Sequence, residues 1–148
     1  MWYGTCDADF SKFANLSDAT HQSIDIFGWP DRARAIPPWR PADARYDDHS
    51  RVSAPVGSYR PNSWGLFDMH GNAAEWTLSE YRPRSGGTQP SPVGDSTLAA
   101  QASALRVVRG GSWYDVPIRC RSAFRQVYLA SQPVYDVGFR VICEPSTR

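Results

Sequence analysis

The apolar positions of this chain fall into short groups, and no group keeps the spacing of one helix or strand for long. The spacing over 10–16 predicts one short helical turn, with its phenylalanines and leucine facing inward. A second short helix is predicted over 96–105 and a short strand at 107–108. The paired glycines at 110–111 indicate close backbone approach, and alternation over 139–143 predicts a last strand buried on one face.

The stretch 65–76 is the most unusual, because it mixes large apolar residues with acids and a Gly-Asn pair. We expect its large apolar side chains to need a core: Leu66, Phe67, Met69 and Trp76. Gly71 and Asn72 tolerate unusual backbone angles and predict a tight turn. This mixture excludes a plain strand or a plain helix over the whole stretch.

Two acids, Asp68 and Glu75, flank this turn, and neither Lys nor Arg lies between Gly65 and Trp76 to neutralise them. With nearby backbone carbonyls they would form the hard-oxygen shell that Ca²⁺ prefers. Such a shell needs about 6–8 oxygens, and the stretch by itself supplies fewer. An acidic turn between two packed segments explains the same residues, so both interpretations stay open here.

Frequent Trp and Pro residues indicate a loop-rich fold held by aromatic anchors. The 148 residues include 6 Trp, 12 Pro and 11 Gly, and this length corresponds to one domain with a single core. Residues 22–53 and 82–95 are predicted as irregular loops, with Trp29 and Trp39 anchoring the first.

The formal net charge of +1 gives no electrostatic basis for binding nucleic acid or a membrane surface. No apolar run approaches the roughly 18 residues of a transmembrane helix, and no signal peptide is recognisable. The cysteines give no disulfide framework, and the histidines show no zinc spacing. These residues are Cys6, Cys120, Cys143, His21, His49 and His70. We therefore expect a cytoplasmic protein without nucleic-acid or membrane partners.

Three stretches together resemble the formylglycine-generating-enzyme family, also called sulfatase-modifying factors. Residues 65–76 resemble its GLYDMxGNxxEW signature, and the motifs RGGSW at 109–113 and GFRV at 138–141 follow in the family's order. The resemblance implies an α+β, C-type-lectin-like fold with much irregular structure and few short strands and helices. The family domain is longer at its N-terminus, so the single domain over 1–148 is similar to its C-terminal part. We expect exposed apolar surface there, covered by self-association into a homo-oligomer.

The same resemblance implies two Ca²⁺ sites. The first oxygen set would comprise Asn15, Leu16, Asp48 and Ser50. The second oxygen set would comprise Asp68, Gly71, Ala73 and Glu75. Some family members carry Asn where this chain has Asp68, so the second set here has an extra negative charge.

Family oxidases convert a sulfatase cysteine into formylglycine with O₂ and copper, using two cysteines five residues apart after Gly-Gly-Ser. Soft thiolates suit Cu(I). In this chain the first position is Asp115, so a two-thiolate copper centre is not expected. Cys120 falls on the second position by ungapped counting, but a structural cysteine explains it as well. Ser112 and Arg125 resemble active-site and substrate-contacting residues, whereas a family Trp is replaced by Ala74.

Aromatic residues between 113 and 137 alternate with arginines, a composition typical of binding surfaces. In C-type-lectin-like relatives this segment presents a ligand face, and in retroelement-diversified proteins it is the variable region. The implied ligand face comprises Trp113, Tyr114, Asp115, Phe124, Tyr128 and Tyr135. A small aromatic core would use the same residues.

Three functions follow from the resemblance. The first is a Ca²⁺-binding family domain that lacks copper-dependent oxidation and acts as a binding or accessory module. The second is a divergent oxidase acting on a sulfatase, and the third is a diversified ligand-binding protein. A sulfatase, or another protein or peptide ligand, is the expected partner.

Overall fold

The computed structural model of the protein describes residues 1–22, 42–82 and 105–143. Its helical elements are short: the α-helix α1 spans Ala19–Gln22, and a 3-10 helix spans Pro117–Arg119. The strands are β1 at Ala74–Glu80, β2 at Leu105–Arg109, β3 at Gln126–Leu129 and β4 at Val137–Gly138. Short helices, a small sheet and much irregular backbone make the fold α+β.

The strands form one sheet in the order β3-β2-β1-β4. Strand β2 pairs antiparallel with both β1 and β3, whereas β4 runs parallel to β1. Val107 and Val108 of β2 are 3% and 0% exposed, as suits β-branched side chains on an inner strand. The strand predicted at 107–108 is therefore confirmed.

Among the described residues, one hydrophobic core cluster is built mainly by the N-terminal segment. Its buried members are Phe10, Ala14, Leu16 and Cys120. Phe10 and Leu16 are buried as the sequence predicts, whereas Phe13 is half-buried. The backbone makes a single turn here, in which the amides of Phe13 and Ala14 both donate to the carbonyl of Phe10. The helix α1 begins later, where Asp18 accepts a hydrogen bond from the His21 amide.

The expected core placement of the large side chains in 65–76 is wrong for Leu66 and Phe67, which are 43% and 39% exposed. Met69 and Trp76 are half-buried. The turn at 71–72 is itself buried, so backbone and polar groups occupy the space that the large side chains were expected to fill.

The last strand predicted over 139–143 is wrong. Strand β4 ends at Gly138, and the large apolar side chains after it are 78–87% exposed: Phe139, Val141 and Ile142. Only two positions of β4 pair with β1. The Arg140 side chain binds Glu75, while the apolar side chains on either side of it are exposed. The alternating residue types therefore do not mark a buried and a solvent-facing side of a strand.

Several expectations lie outside the described residues. These are the anchors Trp29 and Trp39, the loop over 83–95 and the helix over 96–104. Leu105, the last residue of that predicted helix, is the first residue of β2.

Within the parts of the chain that the structure describes, none of the helices has the length and apolar character required to cross a membrane.

Two glycines with similar backbone angles test how far the fold depends on the turn at 71–72. Gly71 has φ +80° and Gly65 has φ +75°, but a Cβ at Gly71 would meet the Asn15 carbonyl and the Leu16 side chain, whereas open space surrounds Gly65. Gly65→Ala should lower the free energy of unfolding by roughly 1–2 kcal/mol through backbone strain. Gly71→Ala should lose a further ~1–3 kcal/mol through the steric clash.

Urea denaturation of the two variants measures this difference. Equal destabilisation by both substitutions would contradict the close approach at Gly71.

Candidate functional site

The turn at Gly71 and Asn72 joins segments that are distant in the sequence. Both residues have positive φ, as the sequence predicts, at +80° and +65°. The Asn72 amide donates to the Asn15 carbonyl at 2.8 Å, and the Asn72 carbonyl accepts from the Trp113 amide at 3.0 Å. The Asn72 side chain exchanges hydrogen bonds with both the amide and the carbonyl of Ala54. The turn therefore holds three separate segments in place.

Asn15, in the first oxygen set, has an oriented side chain with one unused oxygen. Its Nδ2 donates to the Val52 carbonyl at 2.8 Å and to Asn72 Oδ1 at 3.2 Å, so its amide orientation is defined. Its Oδ1 is buried and has no hydrogen-bond partner among the described residues. A buried oxygen without a partner costs about 1–3 kcal/mol, and a cation would satisfy it.

The structure brings the other members of the first oxygen set together around Asp48. Its carboxylate accepts hydrogen bonds from the amides of Leu16 and Ser50 at 2.9 and 2.8 Å, and from the Tyr59 hydroxyl at 3.3 Å. The Asp48 amide donates to Asp18 Oδ2 at 2.6 Å. Burial, with a smaller contribution from the Asp18 charge, raises the pKa of Asp48 to about 6.

Solvent can reach the first oxygen set. Asp48 and Ser50 line an open surface groove, together with Tyr59. Asp48 is half-buried and lies beside the buried Asp18, and neighbouring acids in such surroundings favour a neutral form or a bound cation. The donor types present, carboxylate, amide and carbonyl oxygens, are those that Ca²⁺ accepts. The first oxygen set therefore fits calcium.

The second oxygen set shows the same feature at Asp68. Its Oδ2 accepts a hydrogen bond from the Gly57 amide at 2.7 Å. Its Oδ1 is buried, and the described chain offers it no hydrogen-bond partner. Asp68 also has a positive φ of +53°, which is uncommon outside glycine. The orphaned oxygen fits a cation at this point too.

Glu75, the other acid of the second oxygen set, already has a cationic partner. Arg140 binds it in a forked arrangement, with Nε 3.0 and 3.1 Å from the two carboxylate oxygens and the terminal nitrogen 2.7 Å from Oε1. The stretch from Gly65 to Trp76 contains no cation for Glu75, and Arg140 supplies one from outside that stretch. Sequence proximity missed the partner because it lies 65 residues away.

Ser112 and Asp115 lie at the centre of a buried polar cluster. The Ser112 hydroxyl is 3.1 Å from Asp115 Oδ2 and 2.7 Å from Asp136 Oδ2, so one hydroxyl proton is shared between two carboxylates. The Ser112 amide also donates to Asp115. All three residues are at most 8% exposed. No local pattern in the sequence indicates Asp136, because it lies 24 residues from Ser112.

The charge of Asp115 is only partly balanced. Burial raises its pKa, hydrogen bonds from Ser112 oppose the rise, and the nearby Asp136 charge adds to it. Arg119 NH1 is 3.7 Å from Asp115 Oδ1, and Gln126 Nε2 is 3.3 Å from Oδ2. This cluster can hold and share protons, and its ligands are hard oxygens rather than soft sulfur.

Cys120 lies in the hydrophobic core and is 0% exposed. Its carbonyl accepts a hydrogen bond from His70 Nδ1 at 2.6 Å, and its side chain fills the space that a Cβ on Gly111 would need. Burial raises the pKa of the thiol well above its ordinary value. These contacts favour a structural role over a reactive thiolate.

Arg125 lies away from the polar cluster and against the sheet edge. Its guanidinium carbon is 5.2 Å from the centre of the Tyr81 ring, and one nitrogen is 3.5 Å from the Arg82 carbonyl. Among the described interactions, the Arg125 side chain makes these two contacts and none with Ser112.

The proposed ligand face separates into two groups. Trp113, Tyr114 and Tyr135 contact one another with ring centres 5.5–6.1 Å apart, and His21 contacts the first two at 5.2 and 5.3 Å. Tyr128 instead contacts Trp76 on the sheet, 6.2 Å between ring centres.

Phe124 is half-buried, and the described ring contacts do not join it to either group. Tyr135 is 66% exposed while Trp113 is 7% exposed, so the first group has both a core side and a solvent side.

Among the described residues, no group of three or more His, Cys, Asp or Glu side chains is arranged to hold a metal ion. The two oxygen sets discussed above rely partly on amide and backbone oxygens, which are not such groups. A zinc-type or three-carboxylate centre is absent from this part of the chain.

Comparison with known proteins gives a family. The model of the "Sulfatase-modifying factor enzyme 1-like domain" matches residues 14–145. The chain is 34% identical over 101 residues to the formylglycine-generating enzyme of Mycobacterium tuberculosis, covering 63% of this chain and 33% of that protein. It is 32% identical over 76 residues to "Inactive C-alpha-formylglycine-generating enzyme 2" of Mus musculus, covering 51% and 19%.

The chain spans about a third or less of the length of these curated relatives. Among solved structures, PvdO from Pseudomonas aeruginosa superposes with a TM-score of 0.49 at 24% identity, covering 82% of this chain and 48% of that chain. At this score the superposition does not establish a shared fold.

The buried position of Asp115 leads to a pH-dependence prediction. Because the folded protein binds this proton more tightly than the unfolded chain, the free energy of unfolding should fall as the pH rises from 3.8 to the raised pKa. Asp115→Asn removes the titrating group, so its stability relative to the parent should increase over this window. The measurement is urea denaturation at several pH values.

Asp7→Asn is the matched control, because the Asp7 side chain is 82% exposed. It should follow the parent's pH profile. An Asp115→Asn profile parallel to that of the parent would contradict the raised pKa.

Proposed function

Since the chain belongs to the sulfatase-modifying factor enzyme 1-like family, we propose that it is a calcium-binding member without copper-dependent cysteine oxidation, acting as a binding or accessory module. Its α+β architecture is proposed to be of the C-type-lectin-like type, in which irregular backbone around a small sheet presents the binding residues. A sulfatase or a sulfatase-derived peptide is the proposed partner.

The observation that carries this proposal is the buried carboxylate of Asp115. The family resemblance assigns this position to the first copper thiolate. The carboxylate is hydrogen-bonded to Ser112 and lies beside Asp136, in an arrangement that suits protons or hard cations. The remaining thiol, Cys120, is in the core. At the two motif positions, one side chain is therefore a carboxylate and the other a core thiol.

The range of relatives supports a non-oxidising member. One matched relative is a formylglycine-generating enzyme, and another is named as an inactive one. A family member without oxidation is thus compatible with these relatives.

Calcium binding is proposed first for the oxygen set around Asp48. Asn15 Oδ1 lacks a hydrogen-bond partner in the described chain, and Asp48 is a half-buried acid whose amide donates to the buried Asp18. An ion there would supply positive charge to both groups and fix the segment 48–50 against the N-terminal segment. Asn15, Leu16, Asp48 and Ser50 would hold it through oxygen ligands.

A second candidate function is ligand binding at the aromatic group of Trp113, Tyr114 and Tyr135. The specific observation is its gradient of exposure, from 7% at Trp113 to 66% at Tyr135, beside the buried carboxylates of Asp115 and Asp136. Aromatic side chains with one exposed end are common contact residues. Loss of peptide or small-ligand binding in Tyr135→Ala, with unchanged thermal stability, would favour this function.

Copper binding tests the proposed loss of oxidation. Titration of the purified protein with Cu(I) against a competing chelator should show no tight stoichiometric complex, because one of the two soft ligands is missing. Incubation with a sulfatase-derived cysteine peptide and copper should yield no formylglycine by mass spectrometry. Cys120→Ser serves as the control and should leave both results unchanged. A tight complex that Cys120→Ser abolishes, together with product, would refute the proposal.

Calcium should stabilise the folded protein. Ligand that binds only the folded state adds about 2.7 kcal/mol to the free energy of unfolding at a free concentration 100 times Kd. The melting temperature should therefore rise with Ca²⁺ and fall with a chelator, and Asp48→Asn should remove most of this response. Asp47→Asn is the matched control, since Asp47 bonds Thr20 and lies outside the oxygen set.

Some calcium could be bound so tightly that the chelator does not remove it. Elemental analysis of protein purified without added metal detects such an ion. An unchanged melting temperature together with a calcium-free protein would refute calcium binding.

A further inference from the structure

Arg140 contacts several oxygens at the edge of the second oxygen set. Besides its forked contact with Glu75, its terminal nitrogen donates to the carbonyl of Phe67 at 2.9 Å and lies 3.4 Å from the carbonyl of Asp68. A carboxylate and two carbonyls around one positive group are the same kinds of oxygen that a calcium ion would gather. Here a guanidinium of the chain itself gathers them.

The sheet explains why Arg140 reaches this place. Strand β4 runs parallel to β1, with Gly138 opposite Glu75. Arg140 lies two residues after Gly138, just past the end of the edge strand β4. Its long side chain reaches back to Glu75 on β1. The side chains of both partners are partly covered, at 35% and 26% exposure. A planar guanidinium binds a carboxylate through parallel hydrogen bonds, so the pair is well oriented.

The two oxygen sets differ in the partners of their carboxylates. The first contains Asp48, and Asp18 lies next to Asp48 outside the set; the described contacts of both carboxylates are with amide and hydroxyl donors. In the second, Arg140 neutralises Glu75 and also uses the carbonyl oxygens beside Asp68. A positive charge close to a cation site lowers its affinity for a second cation through direct repulsion. Arg140 also occupies the carboxylate oxygens of Glu75, which the ion would need as ligands.

We propose that Arg140 supplies the positive charge of the second oxygen set, so that the protein holds one calcium ion tightly at the first set and binds calcium only weakly at the second. This inference rests on the proposed calcium binding and assigns an order to its two sites. Asp68 Oδ1, which is buried without a hydrogen-bond partner in the described chain, remains able to accept an ion once the guanidinium is removed.

Isothermal titration calorimetry of calcium-depleted protein tests the inference. The parent should bind one ion tightly and a second at least tenfold more weakly. Arg140→Gln should bind two ions, with the second affinity raised at least tenfold. Adding Asp68→Asn to this variant should abolish the gain. Arg45→Gln is the matched control, because Arg45 forms a similar forked pair with Asp43 outside both sets.

Two equal tight sites in the parent, or an unchanged or weaker second site in Arg140→Gln, would overturn the inference. Calcium binding by Arg140→Gln but not by the parent would refute the proposed first site and overturn the order of the two sites, leaving only the role of Arg140 at the second set supported. Absence of binding in both proteins would overturn both proposals. Thermal melts in chelator establish that each variant is folded.

If Arg140→Gln does not fold, nuclear magnetic resonance of the parent decides. The Nε–H signal of Arg140 should be unaffected by the first equivalent of calcium and should shift only at much higher concentration. A shift that is complete at the first equivalent would mean that this set fills first, which contradicts the inference.

Discussion

Asn72 and the turn it forms are the constraint on which the rest of the structure depends. Its main chain and side chain bond to Asn15, Ala54 and Trp113, while the neighbouring Gly71 amide donates to the Gly110 carbonyl. These partners come from the N-terminal segment, the loop before the turn and the segment after β2. Because the turn is buried, each of these hydrogen bonds replaces one to water, and losing any of them would leave a buried group unpaired.

The turn also lies between the residues of the two oxygen sets. It brings Asn15 near Asp48 on one side and places Asp68 and Glu75 on the other. Each side contains one buried oxygen without a hydrogen-bond partner among the described residues, Asn15 Oδ1 and Asp68 Oδ1. The two sides differ in their source of positive charge, because the chain provides Arg140 to only the second. The same framework holds a side-chain cation at the second set and would hold the proposed metal ion at the first.

The centre around Ser112 follows a different chemical logic. The carboxylate of Asp115, three residues after Ser112 of the Gly-Gly-Ser motif, accepts a hydrogen bond from the Ser112 hydroxyl, and a second carboxylate approaches the same hydroxyl from the segment before β4. Carboxylates hold protons and hard cations well and hold Cu(I) poorly. The aromatic group beside this centre is half covered and half open. Its position makes it a candidate contact surface independent of any redox step.

Local pattern determined much of this protein. It predicted the turn at Gly71 and Asn72, the burial of Phe10 and Leu16, and the strand at 107–108, since backbone angle preferences and side-chain branching act over a few residues. Tertiary structure alone decided the exposure of Leu66 and Phe67 and the shortness of β4. It also decided the pairing of Arg140 with Glu75 and the meeting of Ser112 with Asp136, at separations of 65 and 24 residues. Such contacts depend on sheet order and register, because residue type defines what a side chain can bind but not which distant segment is brought to it.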